Sequence, residues 1–394
     1  MPPLLSVAEA QRRLLALARP VATERVALRN AASRWAATPV TALRTQPELP
    51  LSAMDGYAIR FADMPGPWQV IGESAAGRPF AASIAAHQAV RIFTGAALPP
   101  DADTVLVQEE ALRDANLLIL NGEGPDHAGR NVRPAGLDFT QTETLIEPGD
   151  RLTPARIALA AIAGHARLPV RRRVRIAIAA TGDELRPHGE PLAPGQLHES
   201  NGVMLAALLA DLPVEIIDLG ILPDRHEALA SAFAAVTADI LVTTGGASVG
   251  DHDLVRPALE AARTQIDFWR IALRPGKPMM AGRMRDTVVL GLPGNPVSAF
   301  VTAFVFVRPL VAHLSGAADP LPRTTRAILG EPLPANGPRA DYLRAAHRDG
   351  CVVAAAIQES SMLRTLARAD CLIVRAPHAP AAVSGDSVEI LHLA

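Results

Sequence analysis

From Ile240 an apolar strand pattern empties into a loop of Thr243, Thr244, Gly245, Gly246, Ala247, Ser248, Val249, Gly250, Asp251, His252 and Asp253. Consecutive glycines free backbone N–H groups to form an anion-binding nest, hydroxyls add donors, and the carboxylates that follow suit a hard cation. At the carboxyl end of a strand this combination points to an enzyme acting on a phosphorylated small molecule. An ordinary tight turn would explain the glycines but not the acids beside them.

Three further loops carry compatible chemistry. Thr181, Gly182, Asp183 and Glu184 place a hydroxyl, a glycine and two carboxylates after a strand, although a helix cap by Asp183 with a solvated Glu184 accounts for them equally well. Gly291, Leu292, Pro293, Gly294, Asn295 and Pro296 predict a rigid turn, an N-cap and a first helical residue, hence a helix start whose free N–H groups attract anions. Arg274, Pro275, Gly276, Lys277 and Pro278 hold two cations across a stiff turn, as an anionic ligand requires; a solvated hairpin tip is the alternative. Glu184, Asp224 and Asp253 would repel a phosphate without a cation between them, so Mg²⁺ or a similar hard divalent ion is expected there. His252 reads as a solvated loop residue, and no histidine pair has the spacing of a zinc site. Met54 to Ala58, Thr94 with Gly95, and Asn131 to Asp138 form polar, glycine-bearing loops to which elementary chemistry assigns no role.

The elements that must position these loops are legible as a change of texture along the chain. Ser6 to Leu17 predicts a capped helix stopped by Pro20. Short β-branched runs punctuated by glycine and proline then make residues 47–141 a β module. Pro154 opens a second helix, expected to pack with the first in a discontinuous domain of residues 1–46 and 142–172. Residues 173–317 alternate strictly: strands at Val174–Ala180, Val214–Leu219, Ile240–Thr244, Phe268–Leu273, Lys277–Ala281 and Thr287–Leu290, with helices between the first four and a long helix from Asn295. That alternation predicts a three-layer, doubly wound, mostly parallel α/β domain. After the proline-rich linker at 316–322, five short strand patterns in residues 318–394 predict a small C-terminal β-barrel.

Composition removes several function classes. At 394 residues the chain exceeds one ordinary core, and its formal charge of -2 supplies no basic field for nucleic acid. Arg171, Arg172, Arg173 and Arg175 cluster at a strand start and read as a solvated linker face. Cys351 and Cys371 are too far apart to indicate a disulfide framework or a metal motif, which fits a reducing compartment. Glu9, Arg12 and Arg13 interrupt any N-terminal signal core, and the apolar run Val297–Val307 is cut off by Arg308 and Pro309, short of the roughly 20 residues a membrane span needs. A cytoplasmic location is expected.

Taken together and in order, Met54–Ala58, Thr94–Glu109, Gly129–Asp138, Thr181–Leu185, Ser200–Leu205, Thr243–Asp253, Pro275–Pro278 and Gly291–Ser298 resemble the MoeA family, the molybdopterin molybdenumtransferases of molybdenum cofactor biosynthesis, related to the E domain of gephyrin. The resemblance implies a homodimer with its site between the α/β domain of one subunit and the β module of the other. It implies that adenylated molybdopterin and molybdate react, with a divalent metal, to give molybdenum cofactor and AMP. It further implies that Asp55, Thr94 and Asp138 reach into the partner's site, and that Glu184, Asp224 and Asp253 serve metal and substrate. Thr181, Gly182, Asp183, Gly245, Gly246, Ser248, Gly250, Lys277, Pro293, Gly294, Asn295 and Pro296 would line the substrate site, and Arg274, Lys277, Arg344 and Ser360 would hold molybdate. The molybdopterin adenylyltransferase that acts one step earlier is a further expected partner.

Two departures stand out against the family pattern. Glu199 occupies a position that more often holds Asp, and Glu359 replaces the glycine usual after Gln358, adding negative charge near the molybdate position. The adenylyltransferases share the α/β domain but lack the N-terminal modules present here. A receptor-binding scaffold, as in gephyrin, would not require Asp55, Glu184, Asp224 and Asp253.

Overall fold

The structure is a computed structural model that describes residues 4–245, 254–268, 270–276 and 279–393. Its centre is a six-stranded sheet in the spatial order Val214–Leu222, Val174–Thr181, Ile240–Thr244, Thr287–Leu292, Met280–Met284, Gln265–Phe268. The first four strands are parallel, Met280–Met284 runs against them, and the edge strand Gln265–Phe268 runs with them again, so the sheet is mixed at one edge. The central strands are buried throughout, save Arg175 near the start of Val174–Thr181, as continuous apolar runs covered on both faces must be. Ile176 and Ile178 face a core shared with Leu205, Leu209, Val301 and Leu310. Ala177 and Ala179 face the opposite one, with Leu229, Phe233 and Leu259. The two cores make the three layers that the strand and helix alternation predicts.

The stretch expected as one strand, Phe268–Leu273, divides between two sheets. Gln265–Phe268 closes the edge of the α/β sheet, whereas Leu273–Arg274 pairs in parallel with Ala340–Asp341 of the C-terminal domain. A local apolar pattern carries no information about which of two neighbouring sheets completes its hydrogen bonds. The next strand begins at Met280, later than the expected Lys277.

Helix Pro296–Thr302 does not stop at Arg308 and Pro309. It passes through a π-helical turn at Ala303–Val307 and continues as Arg308–Leu314. A proline at 309 deprives the Val305 carbonyl of its helical donor, and the Gln11 side-chain amide donates to that carbonyl at 2.9 Å instead. The resulting 19-residue helix is long and apolar enough to cross a membrane by length and composition alone, but 83% of its apolar window is buried inside the protein.

The N-terminal helix Val7–Ala16 is capped by Ser6, whose hydroxyl accepts the Glu9 N–H at 3.2 Å. It packs through Ala10 and Leu14 into the core beside Leu310 and Leu314. Fully burying Leu14 there contributes roughly 2 kcal/mol. The expected partnership with the second helix, Pro154–Ile162, is therefore replaced: Ala160 of that helix joins Val40, Ile146, Leu168 and Val170 in a separate core. Around that core, Thr23–Ala27 pairs with Arg167–Arg171 and Val40–Thr41 with Thr144–Ile146, bracketing the β module. The module itself is a six-stranded sheet from Gly56 to Leu120. In the C-terminal domain, strands pair in the spatial order Thr325–Ile328, Ser387–His392, Cys371–Arg375, Ala340–Arg348, Cys351–Ala354, and the Leu329–Val352 bridge closes them into a small barrel.

Candidate active site at the strand ends

Four parallel strands end at one sheet edge, because Thr181 lies in register beside Leu222, Ala180 beside Thr244, and Thr244 beside Leu292. The loops singled out at 181–184, 224, 245 and 293–296 therefore converge by topology. Gly245 has φ +89°, and a Cβ there would lie 2.3 Å from the Thr181 carbonyl oxygen. A Cβ on Gly294 would meet the Gly245 Cα at 3.4 Å, so three loops touch backbone to backbone. At Gly245 only glycine permits such an approach. Thr181 and Thr244 are buried beneath it, with the Thr181 hydroxyl donating to the Thr244 carbonyl at 3.4 Å.

Acids gather beside this contact. The Glu184 carboxylate sits over Gly182, 2.6 Å from where a Cβ would stand, and the Asp224 N–H donates to the Asp183 carboxylate at 3.2 Å. Partial burial, then the charges of Asp183 and Glu184, raise the Asp224 carboxyl above the usual carboxylate range. Asp183 and Glu184 thus set two like charges near Asp224. The helix cap foreseen for Asp183 is not its role here, since the partner it receives is Asp224. Next to this loop a cavity of about 690 Å³ is lined by Ala180, Leu185, Glu199, Gly202 and Asp218, within the size range of small-molecule sites.

Sequence reasoning passed over Asn201 as a site residue. Its side-chain amide donates to the Gly294 carbonyl at 2.8 Å, while its own carbonyl oxygen is buried with no partner among the described residues. Buried polar atoms are normally hydrogen-bonded, so this open acceptor at a strand-end loop stands out. The one available signal was its place at the start of helix Asn201–Leu209, where an asparagine reads as a cap. The cap is supplied instead by Glu199, whose carboxylate accepts the Gly202 N–H at 2.8 Å.

Asn295 stands at the N-cap and Pro296 at the first turn, but the Asn295 side chain makes no capping bond. Its amide donates to the Ser360 hydroxyl at 3.1 Å, and the Val297 N–H donates to the Ser360 carbonyl at 3.1 Å. The barrel thus seats its 357–360 loop on the start of the long helix. Arg344 builds that loop from beneath: buried to 1% exposure, it donates to Gln358 Oε1 at 3.2 Å and to the Glu359 carbonyl at 2.7 Å. Burial holds its guanidinium below the usual arginine range, against the opposing pull of Glu359. Arg274 is half exposed and ion-paired with the buried Asp341, whose carboxyl is raised by burial in spite of that partner.

The β module assembles a second group. Asp55 accepts from the Thr94 N–H at 2.7 Å and from the Thr94 hydroxyl at 2.8 Å, and these two bonds hold its carboxyl below the usual range. Asp138 is placed at a turn whose N–H donates to the Gln46 carbonyl at 3.0 Å. Gly246, Ser248, Gly250, Asp253 and Lys277 lie outside the described residues. The arginine cluster belongs to the opposite sheet edge, at a cleft of about 740 Å³. There Arg172 is paired to Asp239 at 2.6 Å, so it is not merely solvated.

Comparison with known proteins bears on the family and the fold. Residues 5–164 match the MoeA N-terminal region (domain I and II), 177–313 the probable molybdopterin binding domain, and 326–393 the MoeA C-terminal region (domain IV). The chain is 39% identical over 301 residues to a molybdopterin molybdenumtransferase of Haemophilus influenzae, covering 75% of this chain and 74% of the relative. With a protein of the same name from Bacillus subtilis it shares 31% over 405 residues, covering 98% and 94% of the two chains. The crystal structure of the molybdopterin biosynthesis MoeA protein from Pyrococcus horikoshii superposes with a TM-score of 0.85 at 25% identity, covering 99% of this chain and 100% of the other. The chain belongs to the MoeA family of molybdopterin molybdenumtransferases.

Proposed function

We propose that this chain is the enzyme that inserts molybdate into adenylated molybdopterin and releases AMP. The observation that carries the reading is the meeting of the Thr181, Gly245 and Gly294 loops beside Asp183, Glu184 and Asp224. Backbone approach at the glycines suits a phosphate, and the acids beside it suit the cation that must accompany one. Gly182, Asp183, Pro293, Asn295 and Pro296 shape the pocket, joined from the sequence by Gly246, Ser248, Gly250 and Lys277. Asn201 adds an open acceptor for an N–H or O–H of the ligand.

The acid set fits Mg²⁺, with Glu184, Asp224 and Asp253 as its holders. When bound, the ion would neutralise charge on the phosphate oxygens during anhydride cleavage. Water attacks the phosphoanhydride, its bond to AMP breaks, and the attacking water's proton passes to a carboxylate or to solvent. Molybdate, the dianionic substrate, is assigned to Arg274 and to Ser360 at the start of the long helix, with Lys277 added from the sequence. Arg344 contributes by fixing the loop that presents Ser360. Asp341 aims Arg274 through one ion pair and leaves the rest of its donor fork for an oxyanion.

The enzyme acts as a cytoplasmic homodimer, with Asp55, Thr94 and Asp138 of one subunit completing the site of the other. The adenylyltransferase that makes its substrate is the natural docking partner. Incubation with adenylated molybdopterin, Mg²⁺ and molybdate tests the reading. AMP release together with activation of a molybdenum-free apoenzyme is expected, and tight substrate binding with neither signal would favour a scaffold.

A further inference from the structure

The C-terminal barrel gathers four side chains with no part in the chemistry above. Cys371 faces Ala345 on one neighbouring strand and His392 on the other, as direct register partners. His347 lies two residues beyond Ala345, so it projects from the same sheet face, diagonal to Cys371. Ligand atoms of His347, Asp370 and Cys371 all lie within 4.8 Å of one another. The rings of His347 and His392 are parallel, their planes 1° apart and their centroids 5.7 Å apart.

We propose that His347, Asp370, Cys371 and His392 form a binding site for a divalent transition metal, Zn²⁺ by preference, at one end of the C-terminal barrel. Two imidazoles, a carboxylate and a thiolate are the donors zinc takes, and with neutral histidines they balance its charge to zero. Ligands of a tetrahedral zinc at about 2.0–2.3 Å stand about 3.3–3.8 Å apart, so closing His347, Asp370 and Cys371 takes side-chain shifts on the order of 1 Å, and His392, outside that 4.8 Å group, must swing in further as the fourth ligand. His347 Nδ1 lies 2.9 Å from the Asp370 carboxylate, which also accepts the His347 N–H at 3.0 Å. The Thr325 hydroxyl lies 2.9 Å from His392 Nε2, orienting that ring as outer partners orient metal-bound histidines and leaving Nδ1 for the ion.

A plain surface His–Asp pair would explain two of the four groups. Core packing explains the burial of Cys371 among Leu329, Ala345 and Ile373, but not the convergence of its sulfur with His347 and Asp370 donor atoms within 4.8 Å. Burial, then Asp370, pushes that thiol up to about 12 in the absence of a cation. A bound divalent ion reverses this: the thiol proton leaves to solvent and the thiolate becomes a ligand. The ligands come from three strands, which is why spacing in the sequence shows no zinc motif.

The test uses the full chain, stripped with a chelator and titrated with Co²⁺ under reducing, anaerobic conditions. One equivalent should bind with a thiolate-to-cobalt charge-transfer band and four-coordinate visible bands, and Zn²⁺ should displace it. The band should survive Cys351→Ser and vanish in Cys371→Ser, while His347→Ala should weaken binding by about ten-fold or more. Should Cys371→Ser fail to fold, the exposed His347→Gln and His392→Gln variants carry the test. Absence of the charge-transfer band, or its loss in Cys351→Ser only, overturns the proposal. Co²⁺ at the oxygen-rich strand-edge site would give no thiolate band, so this outcome is independent of the molybdenumtransferase reading.

Discussion

The backbone N–H of Asp224 donates to the carboxylate of Asp183 at 3.2 Å, tying the loops of two neighbouring parallel strands into one acidic cluster. The bond fixes where Asp224 stands, but the neighbouring charges of Asp183 and Glu184 work against its ionisation.

A raised carboxyl pKa means that the folded protein holds the proton more tightly than the unfolded chain. The stabilisation is complete below the unfolded pKa of 3.8 and is lost as pH rises through the higher folded pKa. At neutral pH the charged Asp224 is a cost to the metal-free protein. Asp224→Asn should therefore raise the metal-free melting temperature by about 1–2 °C and shrink the further rise that Mg²⁺ gives the wild type. Differential scanning calorimetry with and without Mg²⁺ checks both signs.

Gly245→Ala tests the backbone contact. The new methyl would meet the Thr181 carbonyl at 2.3 Å in a left-handed conformation, and neither can yield without moving a buried strand end. A loss of about 2–4 kcal/mol in urea unfolding is expected, together with loss of activity. Tolerance of the alanine would show that the loops are not held together as described.

The alternating strands were legible because parallel strands buried on both faces are unbroken apolar runs, as at Ile240–Thr244. The edge at which the Thr181, Gly245 and Asn295 loops meet followed from that alternation. Three features were not legible. The transfer of Leu273–Arg274 to the barrel sheet depends on a partner at Ala340, almost seventy residues away. Helix continuation past Pro309 depends on a donor from Gln11 in another element. Asn201 looks in sequence like any helix-starting asparagine, and its open carbonyl oxygen is visible only in three dimensions.

Arg344 is expected to act through the 357–360 loop. Arg344→Ala removes the guanidinium bonds to Gln358 and to the Glu359 carbonyl and empties the buried space that side chain fills, which should cost about 3 kcal/mol. Ser360→Ala removes only the hydroxyl that receives the Asn295 amide, costing about 0.5–1 kcal/mol. If Ser360 touches molybdate, its variant should raise the molybdate concentration needed for half-maximal activity far more than its small stability loss suggests. Chemical denaturation and a molybdate titration separate the two effects.

Asp55 is held ionised by the Thr94 N–H and then by the Thr94 hydroxyl. Thr94→Val keeps the first bond and loses the second, so the acid limb of the rate profile should move to higher pH without vanishing. A profile unchanged by the substitution would remove Asp55 ionisation from the account.

A site shared between subunits predicts complementation. Asp55→Asn and Asp224→Asn homodimers, each strongly impaired at low Mg²⁺, should rise to about a quarter of wild-type activity when unfolded together, refolded at equal ratio and assayed at that Mg²⁺. Half of the dimers are then mixed, and each holds one intact site. No recovery, with mixed dimers demonstrated, would place the whole site in one chain.

The most direct test of the central claim is AMP release from adenylated molybdopterin, measured in the presence of molybdate as Mg²⁺ is titrated, for the wild type and for Asp224→Asn. The account predicts Mg²⁺-dependent release by the wild type and a loss of about ten-fold or more in the variant, partly recovered at high Mg²⁺. Equal rates for the two proteins, or release unaffected by removing Mg²⁺, would contradict it.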